Sequence, residues 1–258
     1  MAQNNYTLIV VGVGGTGSRF LREATQFLAY SGEKSRITSI HLFDGDEVEE
    51  KNLRNQGFMR EDIGMKKAAV LSEIYSEFLP FPIQAHCQYL SSIEPLEQIA
   101  LKDRNSIPVL FGCVDNHGCR LLMEDYFNKA QSCILFDSGN EFDTGEVVYA
   151  YKRDGKVFGP PRSFYFPDIK NGDLRNREEM SCEELNVVSP QHFLTNGVAA
   201  SYLLKGLILL LQGQAIPGFQ MFNALKMGFE RFVPLSQITG EKQEVKTRDA
   251  KKRMRGNI

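Results

Sequence analysis

The sequence predicts an α/β protein: a mostly parallel sheet with helices on both faces, followed by an antiparallel extension and a crossing loop. Three observations predict it. Apolar, strand-like runs alternate with helical spacing from Thr7 to Asp137. A glycine-rich turn joins the first strand to the first helix at Gly12–Ser18. After Gly145 the alternation stops, and an Asp154-Gly155 pair between two short apolar runs signals a hairpin. At 258 residues, 42% hydrophobic and 24% charged, the chain has the composition of a soluble globular protein with a sizeable core.

Taken in order, Thr7–Gly12 is a continuous apolar run, as a buried parallel strand requires. Ser18–Tyr30 carries Phe20, Leu21, Ala24, Phe27 and Leu28 at helical spacing. Ile37–Asp44 is a second strand that ends in acids, and Glu61–Leu79 is a helix stopped by Pro80. Ile83–Cys87, Ile107–Gly112 and Cys133–Asp137 complete five strands, with a helix at Cys119–Ala130. Glu146–Tyr151 and Lys156–Phe158 form the hairpin. Gly159–Pro190 holds four prolines with little periodicity and reads as a long loop. Gln191–Gln212 is an apolar helix, and Phe219–Val233 forms a final hairpin around Lys226–Gly228. The division expected is residues 1–145 as a nucleotide-binding half, 146–235 as strands, loop and apolar helix of the same domain, and 236–258 as a basic tail. Glu241–Arg255 holds seven Lys or Arg against three Asp or Glu.

Composition excludes several classes. A net charge of −2 argues against binding nucleic acid through phosphate contacts. Five cysteines with no CxxC pair support neither a disulfide framework nor a zinc site, and suit a reducing cytoplasm. The one long apolar stretch, Phe193–Leu211, contains Asn196 and Lys205, which a membrane span tolerates badly. A buried or interface helix is expected there instead.

The turn Gly12-Val13-Gly14-Gly15-Thr16-Gly17 follows a strand and opens a helix. Glycines let the backbone approach a phosphate, and the helix N-terminus offers free N–H groups to it. This marks a Rossmann-like nucleotide site, although the turn alone does not choose the nucleotide. Asp44-Gly45-Asp46 ends the second strand, where an acid can accept ribose hydroxyls. Gly64-Met65-Lys66-Lys67 places cations at a helix start, unfavourable unless an anion sits there, so Lys67 is expected to meet phosphate and Lys66 solvent. Asp115 and Asn116 follow the fourth strand, beside the glycine turn. Asp115 suits a magnesium or reacting-group role, or else caps the next helix, with Arg120 as a partner.

These pieces, in this order, resemble the ThiF/MoeB-type superfamily that includes the ubiquitin-activating enzymes. The family pattern of GxGGxGS, DxDxVExxNLxRQ, GxxK and DNxxxR is met by GVGGTGS (Gly12–Ser18), DGDEVEEKNLRNQ (Asp44–Gln56), GMKK (Gly64–Lys67) and DNHGCR (Asp115–Arg120). The similarity is greatest to short bacterial ThiF-like proteins. The resemblance implies ATP-dependent adenylation of the C-terminal carboxylate of a ubiquitin-like or sulfur-carrier-like small protein. It implies that Gly12, Gly14, Gly15 and Gly17 hold phosphates and Asp44 the ribose, with Asp46 and Asn116 beside the nucleotide. Asn52 and Lys67 would hold the triphosphate and Asp115 would bind Mg2+, with no zinc. It implies a homodimer, with a downstream conjugating or sulfur-transfer protein as a further partner. The family arginine falls on Asn55 here, while Arg54 stands one position earlier; it is a candidate phosphate contact that would need a shifted turn to reach the same phosphates.

Cys182, in Ser181-Cys182-Glu183-Glu184, resembles the family segment where a cysteine forms a thioester with the activated partner. Arg175 and Arg177 would favour a thiolate, and Glu178, Glu179, Glu183 and Glu184 oppose it, so an inert loop cysteine stays open beside the thioester role. Cys113, Cys119 and Cys133 sit in core-like runs and are expected to be small hydrophobes. A catalytically weak scaffold, suggested by Asn55, and a nicotinamide or flavin oxidoreductase remain the alternatives.

Overall fold

The computed structural model describes residues 4–171, 193–226 and 228–233. One nine-stranded sheet runs through them. Its strands are β1 (Asn5–Val11), β2 (Ile37–Phe43), β3 (Ile83–His86), β4 (Ser106–Gly112), β5 (Cys133–Asn140), β6 (Thr144–Arg153), β7 (Lys156–Gly159), β8 (Phe219–Asn223) and β9 (Gly228–Val233). The order is β3-β2-β1-β4-β5-β6-β8-β9, with β7 on the other half of β6's outer edge. The first five strands are parallel and all later pairings antiparallel. The chain therefore reverses direction of growth at β1, which sits between β2 and β4. In such sheets the crevice at the carboxyl ends of the strands is the place for a ligand.

Period-2 alternation in β1 divides the core. Leu8 and Val10 face one side, together with Ile40, Leu42, Val109, Phe111 and Phe136. Helices α1 (Gly15–Tyr30), α2 (Lys67–Ser76) and α6 (Phe193–Leu211) cover that side. Ile9 and Val11 face the other, under α3 (Glu94–Lys102) and α4 (His117–Lys129). A one-turn helix α5 (Arg162–Tyr165) follows β7. Phe20 stacks on Phe111 at 4.3 Å, Phe111 meets Phe136 edge-on at 5.5 Å, and Phe136 meets Tyr149 at 5.2 Å. Such pairs contribute about 0.5–1.5 kcal/mol each beyond their burial, so this row ties α1 to β4, β5 and β6.

The apolar helix predicted at the C-terminal side is α6. It is long and apolar enough to cross a membrane by length and composition, with a mean hydropathy of 1.5. Yet Ala199, Ala200, Leu203, Leu207 and Leu211 are buried against α1 and the sheet of its own chain. Arg36 donates to the Leu211 carbonyl at its C-terminus, where a cation is favoured.

Three segments depart from the pattern reading. The helix expected over Glu61–Leu79 begins only at Lys67, because Gly64 takes a left-handed φ of 86° and Lys66 bridges back to Glu47. Helix α3 was not foreseen, since only Leu96 and Ile99 of its nine residues are buried. The loop expected from Gly159 begins with α5 and a 3-10 turn, Pro167–Asn171. Cys182 and its neighbouring arginines and glutamates, and the tail 236–258, lie outside the described residues.

Candidate nucleotide-binding cleft

The glycine turn forms because β1 must reverse into α1 within three residues. Gly12 takes φ 84°, and a Cβ there would stand 2.7 Å from the Cys113 carbonyl oxygen. A Cβ on Gly17 would overlap the Gly12 carbonyl. The N-cap Gly14 provides no side-chain cap, and the first turn of α1 holds no acid. Its N–H groups therefore face the cleft as an anion site.

Asp44 supports this turn. Its Oδ2 accepts from Val13 N at 2.8 Å and its Oδ1 from Asp46 N at 2.9 Å. It is 7% exposed, and burial pushes its carboxyl above the ordinary range while nearby Lys67 pulls the other way. Each oxygen keeps a lone pair for a further donor such as a hydroxyl. Lys67, only 4% exposed, places Nζ 2.9 Å from Asp46 Oδ2, and Tyr89 OH donates to the other Asp46 oxygen. A cation at the N-terminus of α2 is thus held in place by a carboxylate on the cleft wall. Lys66, by contrast, reaches Gly45 O and Glu47 at the rim, rather than standing in solvent alone.

The 3-10 turn Glu50–Arg54 presents Asn52 and not Arg54. Asn52 Oδ1 accepts from Glu49 N at 2.8 Å, and its Nδ2 finds no acceptor among the described residues. Asn52, Asn55 and Gln56 line the cleft. Arg54 is exposed and stands outside the lining. The turn ends at Arg54, so its side chain leaves outward and the next residue faces in.

Asp115 is exposed at the cleft mouth, and Asn116 beside it caps α4 by accepting from Cys119 N at 2.7 Å. The capping role offered for Asp115 therefore belongs to Asn116. Arg120 ion-pairs with Asp137 and donates to the Ser138 and Val114 carbonyls. Asp137 also receives Arg162, whose Nη1 lies 2.6 Å from Glu146. Burial disfavours charge on Arg162, but Asp137 and Glu146 outweigh it and hold its pKa above the usual value. Burial pushes the thiols of Cys113 and Cys119 up to about 12, which makes both poor nucleophiles.

Sequence reasoning missed a third group. Thr16, Asn140 and Asn196 meet beside Gly15, from α1, β5 and α6. No local pattern announces a contact between positions 16 and 196.

The cleft so assembled measures about 390 Å³ and is lined by Gly12, Gly14, Gly15, Asp44, Asp46 and Lys67 on one side and by Asp115, Asn116, Asn140 and Asn196 on the other. Among the described residues no three His, Cys, Asp or Glu side chains form a metal cage. A family model for the ThiF family matches residues 3–243. The chain belongs to the ThiF family. It is 29% identical over 124 residues to ubiquitin-like modifier-activating enzyme 5 of Dictyostelium discoideum, covering 45% of this chain and 30% of that protein. The fold matches that of PaaA, with a TM-score of 0.62 at 13% identity over 89% of this chain and 64% of the other. It matches E. coli MccB solved with ATP, with a TM-score of 0.59 at 16% identity over 90% and 64%. This ThiF-family chain thus spans about a third of the curated relative and just under two thirds of those solved structures.

Proposed function

We propose that this ThiF-family chain uses ATP to adenylate the C-terminal carboxylate of a ubiquitin-like or other small protein or peptide. The observation that carries the reading is the convergence of an acid-free helix N-terminus, Asp44, Lys67 and Asp115 on one cleft at the strand ends. The printed names of its relatives support it. One is a modifier-activating enzyme, and MccB was solved both with ATP and with AMPCPP and MccA.

In this reading the turn Gly12–Gly17 receives a phosphate and Asp44 the ribose hydroxyls. Lys67 and Asn52 offer donors to the phosphate chain. Asp115 would hold Mg2+, which when bound neutralises charge building on the phosphates. A carboxylate oxygen attacks the α-phosphorus, and pyrophosphate departs with the electrons of the broken P–O bond. Positioning and charge stabilisation supply the acceleration; no proton transfer is needed. A thioester step would use Cys182, and a homodimer would bury the outer face of α6.

A second reading, weak turnover in a binding scaffold, is favoured by one observation: Asn55 faces the cleft where a cation is expected, and Arg54 does not. Pyrophosphate exchange with a candidate ubiquitin-like protein separates the two. Exchange that disappears in Asp115→Ala supports adenylation. ATP binding without exchange for any candidate supports the scaffold.

A further inference from the structure

Asn196 stands near the start of α6 and is 2% exposed, yet it lines the cleft. Its Oδ1 accepts from Thr16 Oγ1 at 3.2 Å and from Asn140 Nδ2 at 3.1 Å. Asn140 Nδ2 also donates to Thr16 Oγ1 at 2.8 Å, which closes a triangle. With donors converging on Oδ1, Nδ2 is turned the other way, against Gly15, where a Cβ would overlap it. Neither Nδ2 hydrogen has an acceptor among the described residues. Within a residue that is 2% exposed overall, Nδ2 is the part that opens on the cleft, so a ligand acceptor can take the place that water would otherwise fill.

The sheet says which part of the ligand that is. β2 and β5 lie on opposite sides of β1. The β2 side supplies Asp44 and Asp46, with Lys67 from α2 packed beside it, and these groups suit ribose and phosphates. On the β5 side the carboxylate Asp115 stands at the mouth, and the groups next to the turn are neutral: Ser138, Asn140 and, from α6, Asn196. A carboxylate approaching a phosphate at Gly14–Gly15 from this side would meet these neutral groups first.

We propose that Asn196 Nδ2 receives the substrate carboxylate, hydrogen-bonding one oxygen while the other attacks the α-phosphorus. The inference rests on the adenylation reading above. The new bond joins the carboxylate oxygen to phosphorus, the bond from phosphorus to the bridging oxygen breaks, and pyrophosphate takes the electron pair. Asn196 gives up no proton. A neutral amide suits the task, because it orients a carboxylate without the tight ion pair that would stabilise the ground state. Thr16 and Asn140 are positioning residues that fix the amide. They explain why a β5 residue and an α6 residue meet at the tip of α1.

The test uses the full chain and two ligands: AMP, and 5′-O-(N-glycylsulfamoyl)adenosine, a stable mimic of a glycyl adenylate. Calorimetry follows the wild type, Asn196→Asp and Thr16→Val. Asn196→Asp keeps the acceptor for Thr16 and Asn140 but replaces the donor by an oxygen. Its affinity for the mimic is expected to fall roughly ten- to a hundredfold further than its affinity for AMP, which shares the repulsion of the new carboxylate but lacks the hydrogen bond to the acyl oxygen. Thr16→Val, which leaves the donor but loosens it, should lose a smaller factor in the same direction. Equal losses for AMP and the mimic, or no loss for either, would overturn the assignment of Asn196 alone. A wild-type protein that binds neither ligand would overturn the adenylation reading and this inference with it.

Discussion

On the β2 side of the cleft, Asp44, Asp46, Asn52 and Lys67 all lie between residues 44 and 67, and their contacts with one another and with nearby backbone span at most 31 positions. On the β5 side, Asn140 meets Thr16 across 124 positions and Asn196 meets Thr16 across 180. The first side carries charge and is fixed by short loops. The second is neutral beside the turn, with Asp115 at its mouth, and is fixed by tertiary packing over a buried ionic group, Arg120–Asp137–Arg162–Glu146. Substitutions on the two sides should therefore fail in different ways. Those on the β2 side should cost ligand affinity, and those beneath the β5 side should cost the fold.

The largest effect is expected beneath the β5 side. Asp137 is 2% exposed and compensates two buried arginines. Asp137→Ala should destabilise the protein by roughly 3–5 kcal/mol, because it leaves uncompensated charge inside. Denaturant unfolding with an unchanged slope and a lower midpoint would show it; a midpoint within error of wild type would break the comparison. On the β2 side, Lys67→Ala should weaken ATP about ten- to a hundredfold, the value of a charged hydrogen bond or two, and AMP distinctly less. Equal weakening of both would move Lys67 away from the outer phosphates.

A smaller, pH-dependent effect belongs to the β3 edge of the sheet, next to the β2 side, where the His86 carbonyl accepts from Asp44 N. His41 Nδ1 and His86 Nε2 lie 3.0 Å apart. Burial first, then His86 and Lys102, depress His41 to about 4, and burial and Lys102 also lower His86. Both are neutral in the folded state and would take a proton in the unfolded chain below about 6.5. Their contribution to stability is therefore complete above that pH and is lost as pH falls from about 6.5 towards about 4, at up to about 1.4 kcal/mol per pH unit for each group. The wild-type stability curve should flatten over that window in His41→Phe, and an unchanged slope would contradict the assignment. The smallest effect is expected from Arg54→Ala, which should leave nucleotide affinity within about twofold, as for an exposed charge off the site; a tenfold loss would return Arg54 to the cleft.

The sequence made the β2 side legible because each signal there is local. An apolar run ending in glycine gives β1, the glycines give the turn, and Lys67 gives itself away as a cation at a helix start. Arg54 misled because a 3-10 turn, unlike a strand, changes by one residue which side chain points inward. Gly64 was visible as a glycine, but its left-handed φ, which delays α2 to Lys67, was not. On the β5 side the residues carry no pattern of their own. Asn140 ends a strand, Asn196 sits in an apolar helix, and Arg162 follows two prolines in what reads as a loop. Their partnership exists only once β1, β4, β5 and β6 lie side by side and α6 packs on α1.

The central claim, that both sides serve one ATP-binding site, is tested most directly by calorimetry of the full chain with Mg–ATP, AMP and NAD. The expected result is tight Mg–ATP binding, displaced by AMP, with NAD much weaker. Tight binding of NAD and none of ATP would contradict it.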